Sequence, residues 1–125
     1  MKWILFLFIF FTVPAHAIDD WDAITAIVGE SANEPDCMPM IAGAIKSRGT
    51  LRGVYGLNNS MTATASGATY QKAAKAWYES EEGAGDHWLT PSELKKPGTM
   101  WVKQCTEVSR CGSHIYYKCP WEVKK

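Results

Sequence analysis

The chain has 125 residues, 46% of them apolar, with 13 basic and 13 acidic side chains. That length suits one domain, and the composition excludes a disordered tail, a collagen-like repeat and a polytopic membrane protein. The balanced charge argues against nucleic-acid binding, which needs a basic face.

The first segment is unlike the rest. Lys2 is followed by a run from Ile4 to Val13 that is apolar except for Thr12, then Pro14 and the A-x-A pattern Ala15-His16-Ala17. Phe6, Phe8, Phe10 and Phe11 all lie here, and the later aromatics are only Trp and Tyr. Such a segment reads as a secretory signal peptide over residues 1–17. The run reaches only about half of a ~30 Å hydrocarbon core, so no stable membrane span is expected once it is cleaved; an uncleaved anchor is the rival reading. Residues 18–125 then form one exported domain, periplasmic or extracellular.

Asp19 and Asp20 suit a helix start, and Trp21, Ile24, Ile27 and Val28 follow helical spacing to an end near Gly29 to Ala32. Asn33 to Asp36 reads as a loop. A second helix carries Met40, Ile41, Ala44 and Ile45 inward and stops at Arg48-Gly49. Thr50 to Ser60 is expected to be irregular. Tyr70, Ala73, Ala74, Trp77 and Tyr78 mark a third helix, which ends before Gly83-Ala84-Gly85. Thr90-Pro91-Ser92-Glu93 is a capping box that predicts a short helix, halted by Pro97-Gly98. Thr106 to Val108 and His114 to Lys118 read as two strands around Cys111-Gly112. The sum is a small, mostly helical α+β domain with a C-terminal β-hairpin.

In an oxidising compartment Cys37, Cys105, Cys111 and Cys119 suggest two disulfides, with three possible pairings. A three-residue turn at Cys111-Gly112-Ser113 would set Arg110 opposite His114 and Cys105 opposite Cys119. That register favours Cys105–Cys119 with Cys37–Cys111, and a one-residue slip in the turn would undo it.

Phosphate-loop, nucleophile-elbow and H-E-x-x-H patterns are absent, and His87 and His114 without paired cysteines make a weak metal case. No metal or cofactor is expected. The remaining candidate is a carboxylate. Glu30 falls three residues beyond Ile27, at the edge of the buried face. Carboxyls partly withdrawn from water stay protonated more readily, and such a group can protonate a glycosidic oxygen. Tyr55, Trp88 and Trp101 lie in loop-like segments, where flat rings with a polar edge suit sugar faces.

Taken together, the motifs resemble a known family. Ile27-Val28-Gly29-Glu30-Ser31-Ala32-Asn33-Glu34 resembles the "GEA-x-GE" signature of cell wall hydrolases similar to spore-cortex-lytic enzymes. Ile41 to Arg48 fills the place of the family's apolar helix ending in Asn-Arg. Gly49 to Leu57 resembles the "G-x-L-[KR]-GVYGL" loop of a small, phage-like branch, and Ala73 to Ser80 its third helix. Gly83 to Trp88 is similar to its "GA-x-HW" loop, and Gly112 to Tyr117 to its terminal "G-x-H-x-F-[YF]". Ser31 and Ser47 stand where the family usually has Ala and Asn, and Asp86 looks like an insertion.

The resemblance implies a lysozyme-like catalytic domain over residues 18–125 that cleaves peptidoglycan glycan strands between N-acetylmuramic acid and N-acetylglucosamine. The catalytic glutamate falls on Glu30. Tyr55, His87, Trp88, His114 and Tyr116 fall at substrate-binding positions, with peptidoglycan the partner of a monomeric chain. Hydrolases normally use two carboxylates. With only Glu30 at a matched position, lytic transglycosylase chemistry is favoured over muramidase hydrolysis, although Glu34 or Asp86 could supply a second acid. The alternative, motivated by Ser31 and Ser47, is a secreted peptidoglycan-binding module without turnover.

Overall fold

A computed structural model describes residues 17–123. The expected signal peptide therefore lies, but for Ala17, outside the described residues. Asp19 caps the first helix by accepting the Asp22 N–H at 3.0 Å, and α1 runs Asp20–Ser31. Its inner face buries Ala23, Ile24, Ala26, Ile27 and Val28. Trp21, expected inward, is 62% exposed and stacks on Tyr70 at 5.4 Å between ring centres. It sits on the first turn, where the helical stripe has run past the edge of the core.

A 3-10 turn, Pro35–Cys37, leads into α2, Met38–Arg48. Ile41, Ala44 and Ile45 are buried as expected, Met40 only partly, and Met38 joins them. The helix stops at Gly49, whose φ of +70° is the left-handed C-terminal conformation. The stretch expected to be irregular, Thr50 to Ser60, contains a 3-10 turn, Tyr55–Asn58, and a four-residue helix, α3, Met61–Thr64, follows it. Ser66 caps α4, Gly67–Glu79, which buries Ala73, Ala76 and Trp77. Tyr78 is 65% exposed rather than inward. Trp77 Nε1 donates to Asp20 at 2.8 Å, and the Lys46 ammonium lies over the same ring while donating to the Trp77 and Ser80 carbonyls at the end of α4. One indole thereby ties all three long helices together.

The C-terminal part is a three-stranded antiparallel sheet in the order β1-β3-β2, built from β1, His87–Leu89, β2, Thr106–Cys111, and β3, His114–Lys118. The α+β class is as read from the sequence; β1 was expected to be loop. β3 is buried on both faces: Tyr116 enters the helical core, whereas Ile115 and Tyr117 enter a second cluster with Leu89 and Cys119. The capping box forms, with Thr90 and Glu93 exchanging hydrogen bonds, but only one 3-10 turn, Glu93–Lys95, follows before Pro97.

The disulfides pair as expected, Cys37–Cys111 and Cys105–Cys119, although the turn is one residue shorter than expected. Cys111 faces His114 and Arg110 faces Ile115, so the strands start one residue out of the anticipated register. An irregularity between Glu107 and Ser109 absorbs that residue at Val108 and restores Glu107 opposite Tyr117. Cys105 thus still meets Cys119. No helix among the described residues is long and apolar enough to cross a membrane.

Candidate active site

Glu30 sits in the last turn of α1, beside the 3-10 turn that begins at Tyr55. The two backbones nearly touch: a Cβ on Gly29 would lie 1.7 Å from the Gly56 carbonyl oxygen, and one on Gly56 would lie 2.5 Å from Glu30 Cγ. Only glycine at both positions permits this approach. It brings the Gly56 N–H to Glu30 Oε1 at 3.0 Å. The other oxygen, Oε2, lies 3.6 Å from His114 Nε2. The Glu30 side chain is 16% exposed, so it opens to water on one side only.

That side faces a cleft of about 930 Å³. Glu30, Arg48 and Tyr55 form one part of its lining, and His87, Trp88 and Trp101 another. Tyr55 is 84% exposed, a ring with a free face. Trp88 packs under the Arg48 guanidinium, 5.6 Å from its ring centre. Arg48 is itself fixed by bonds to the Asp86 and Arg52 carbonyls. Burial draws the Arg48 pKa down, and the negative charges of Asp86 and Glu30 oppose that pull.

The sequence-predicted residues divide. Glu30, Tyr55, His87 and Trp88 share the cleft. His114 and Tyr116 were expected to contact substrate; they are 4% and 1% exposed and are not part of the lining. They pack behind Glu30 and support it, because β3 is covered on both faces. Glu34 and Asp86 are also absent from the lining. Glu34 turns to the hairpin, where Ser113 donates to it through both backbone and side chain; these bonds hold its carboxyl below the usual value. Asp86 is buried and holds His87, Lys118 and the Cys119 N–H.

Glu93, Lys96 and Trp121 also line the cleft and were not singled out in the sequence. Trp121 arrives by tertiary packing alone, edge-on to His87 and to Trp101. Glu93 carried a signal, its capping box, but that signal spoke of local structure. Asp86, His87 and Cys119 place ligand-type atoms within 4.8 Å of one another, yet the Cys119 sulfur is bound to Cys105. Ser31 and Ser47 each have a structural use. Ser31 Oγ donates to the Ile27 carbonyl, and Ser47 Oγ donates to the Gly83 carbonyl at 2.6 Å, joining the end of α2 to the following loop. Comparison of the chain with protein-family models, curated proteins and solved structures returns no match.

Proposed function

We propose that this protein is an exported, lysozyme-like enzyme that cleaves peptidoglycan glycan strands between N-acetylmuramic acid and N-acetylglucosamine, as a lytic transglycosylase with Glu30 as general acid and base. The observation that carries the reading is Glu30, a largely sheltered carboxylate at an aromatic-walled cleft with one oxygen already occupied by a backbone N–H; Glu93, the other carboxylate in the lining, has one oxygen bonded to Thr90. A carboxyl oxygen that accepts the Gly56 N–H is the unprotonated one, which leaves Oε2 to carry the proton. Oε2 protonates the glycosidic oxygen as the C1–O4 bond breaks. The muramic acid C6 hydroxyl then closes on C1 and gives its proton to the Glu30 carboxylate, leaving a 1,6-anhydro end without consuming water. Tyr55 and Trp88 offer flat faces to the sugar rings. Two disulfides and the absence of a membrane-crossing helix among the described residues are compatible with export.

The test is digestion of purified sacculi by the mature protein, with mass spectrometry of the released glycan ends. Anhydro-muramic ends are expected. Glu30→Gln should fold normally and cleave about 1,000-fold more slowly. Reducing ends alone would overturn the lytic assignment, and full wall clearance by Glu30→Gln would overturn the role of Glu30.

A further inference from the structure

The reading above gives both proton transfers to Glu30. We propose that the second belongs to His87: oriented by the buried Asp86, its Nε2 accepts the proton of the attacking hydroxyl. This rests on the glycan-cleaving reading and divides its acid and base between two residues.

The argument starts at Asp86. It is 3% exposed and its oxygens are filled by the Cys119 N–H at 3.1 Å, Lys118 Nζ at 2.9 Å and His87 Nδ1 at 2.9 Å. Burial alone would raise its pKa, but the hydrogen bonds from His87, Lys118 and Cys119 outweigh that and hold it below the usual aspartate value. Asp86 is therefore a carboxylate, which can only accept. The proton of a neutral His87 must sit on Nδ1, leaving Nε2 as a bare lone pair. The ring cannot turn away, because Trp101 and Trp121 hold it at 5.0 and 5.7 Å between centres, and its backbone is paired with Tyr117 in the sheet. Its side chain is 14% exposed, and it lines the same cleft as Glu30. Nε2 has no hydrogen-bond partner among the described residues. A histidine with its Nδ1–H on a buried carboxylate and its other nitrogen open to a cleft has the geometry of an oriented base.

The balance is simple. Glu30 gives its proton to O4 as C1–O4 breaks; the C6 oxygen bonds to C1, and its proton passes to His87 Nε2. Glu30 leaves as carboxylate and His87 as imidazolium, and exchange with water resets both.

The experiment compares the mature protein with His87→Gln and Asp86→Asn on purified sacculi, following kcat, KM, sacculus binding and melting temperature. His87→Gln is expected to lower kcat about 100-fold with KM and binding near the starting values. Asp86→Asn should lower kcat similarly, because an amide N–H facing Nδ1 drives the ring proton onto Nε2. Added imidazole should restore part of the His87→Gln rate, an effect that a merely structural histidine would not show. If the unmodified protein cleaves and His87→Gln cleaves at the same kcat, the His87 assignment is overturned and the glycan-cleaving reading stands. If the unmodified, folded protein releases no glycan fragments, both are overturned.

Discussion

Behind Glu30 lie two buried polar groups with different consequences. His114 has one nitrogen 3.6 Å from Glu30 Oε2, too far for a good hydrogen bond, while its Nδ1 is buried with no partner among the described residues. Tyr116, in the same strand, buries its hydroxyl without a partner as well. Burial pushes that phenol far above its usual pKa, and the Glu30 and Glu34 charges add to the push. An unpaired buried hydroxyl costs free energy that a ring of the same shape without it would not. Tyr116→Phe is therefore expected to raise stability by about 1 kcal/mol, with cleavage unchanged because the hydroxyl does not face the cleft. Urea unfolding checks this; a loss of stability would show that the hydroxyl has a hydrogen-bond partner in solution. The residue scale is also where the sequence said least. Tyr116 fell within the expected substrate-contact motif, and nothing in its local pattern signalled that both faces of β3 are covered.

At the scale of elements, the site depends on one helix touching one turn. Neither Gly29 nor Gly56 has a side chain, and the space each would need is filled by the other's backbone or by Glu30 itself. Gly29→Ala drives a methyl into a backbone carbonyl, which cannot move without lifting the whole turn. A loss of about 3 kcal/mol is expected. Gly56→Ala meets Glu30 Cγ at 2.5 Å and the α1 backbone at the Ala26 carbonyl oxygen and the Glu30 nitrogen, so it should displace the carboxyl and depress cleavage as well as stability. Thermal melts beside rate measurements separate the two; equal losses in both variants would mean that the contact is only scaffolding. The long helices were legible because their apolar residues recur every three to four positions, and two of their ends because Asp19 and Gly49 sit where caps belong; the Ser66 cap of α4 was not anticipated. The errors fell at the ends of those stripes: Trp21 and Tyr78 keep the period but lie beyond the core. β1 was not legible, since three residues carry no alternation and its strand character comes from pairing with β3.

On the scale of the whole molecule, the helical half and the sheet half meet at the cleft, tied across it by the Cys37–Cys111 disulfide, the Ser113 bonds to Glu34 and the Arg48 bond to the Asp86 carbonyl. Trp121 and Arg48 reach the cleft from distant parts of the chain, which is why local sequence patterns did not mark them as site residues. The disulfides divide this work. Cys105–Cys119 spans 14 residues and staples the sheet half to itself, holding the 3-10 turn Met100–Gln104 that carries Trp101. Cys37–Cys111 spans 74 residues and ties the start of α2 to the hairpin tip, next to the Glu34–Ser113 contact and three residues before His114. Loop-closure entropy puts the first at about 3 kcal/mol and the second at about 4 kcal/mol. Their functional consequences should differ more than those figures. Cys37→Ala with Cys111→Ala frees the tip of the hairpin that backs Glu30, so kcat should fall together with the larger drop in melting temperature. Cys105→Ala with Cys119→Ala loosens the Trp101 wall, so KM should rise while kcat holds. Melting curves and steady-state kinetics on the two double variants read both axes at once. A KM effect from the long-range pair and a kcat effect from the short one would mean that the hairpin tip, and not the Trp101 turn, is what shapes the cleft wall.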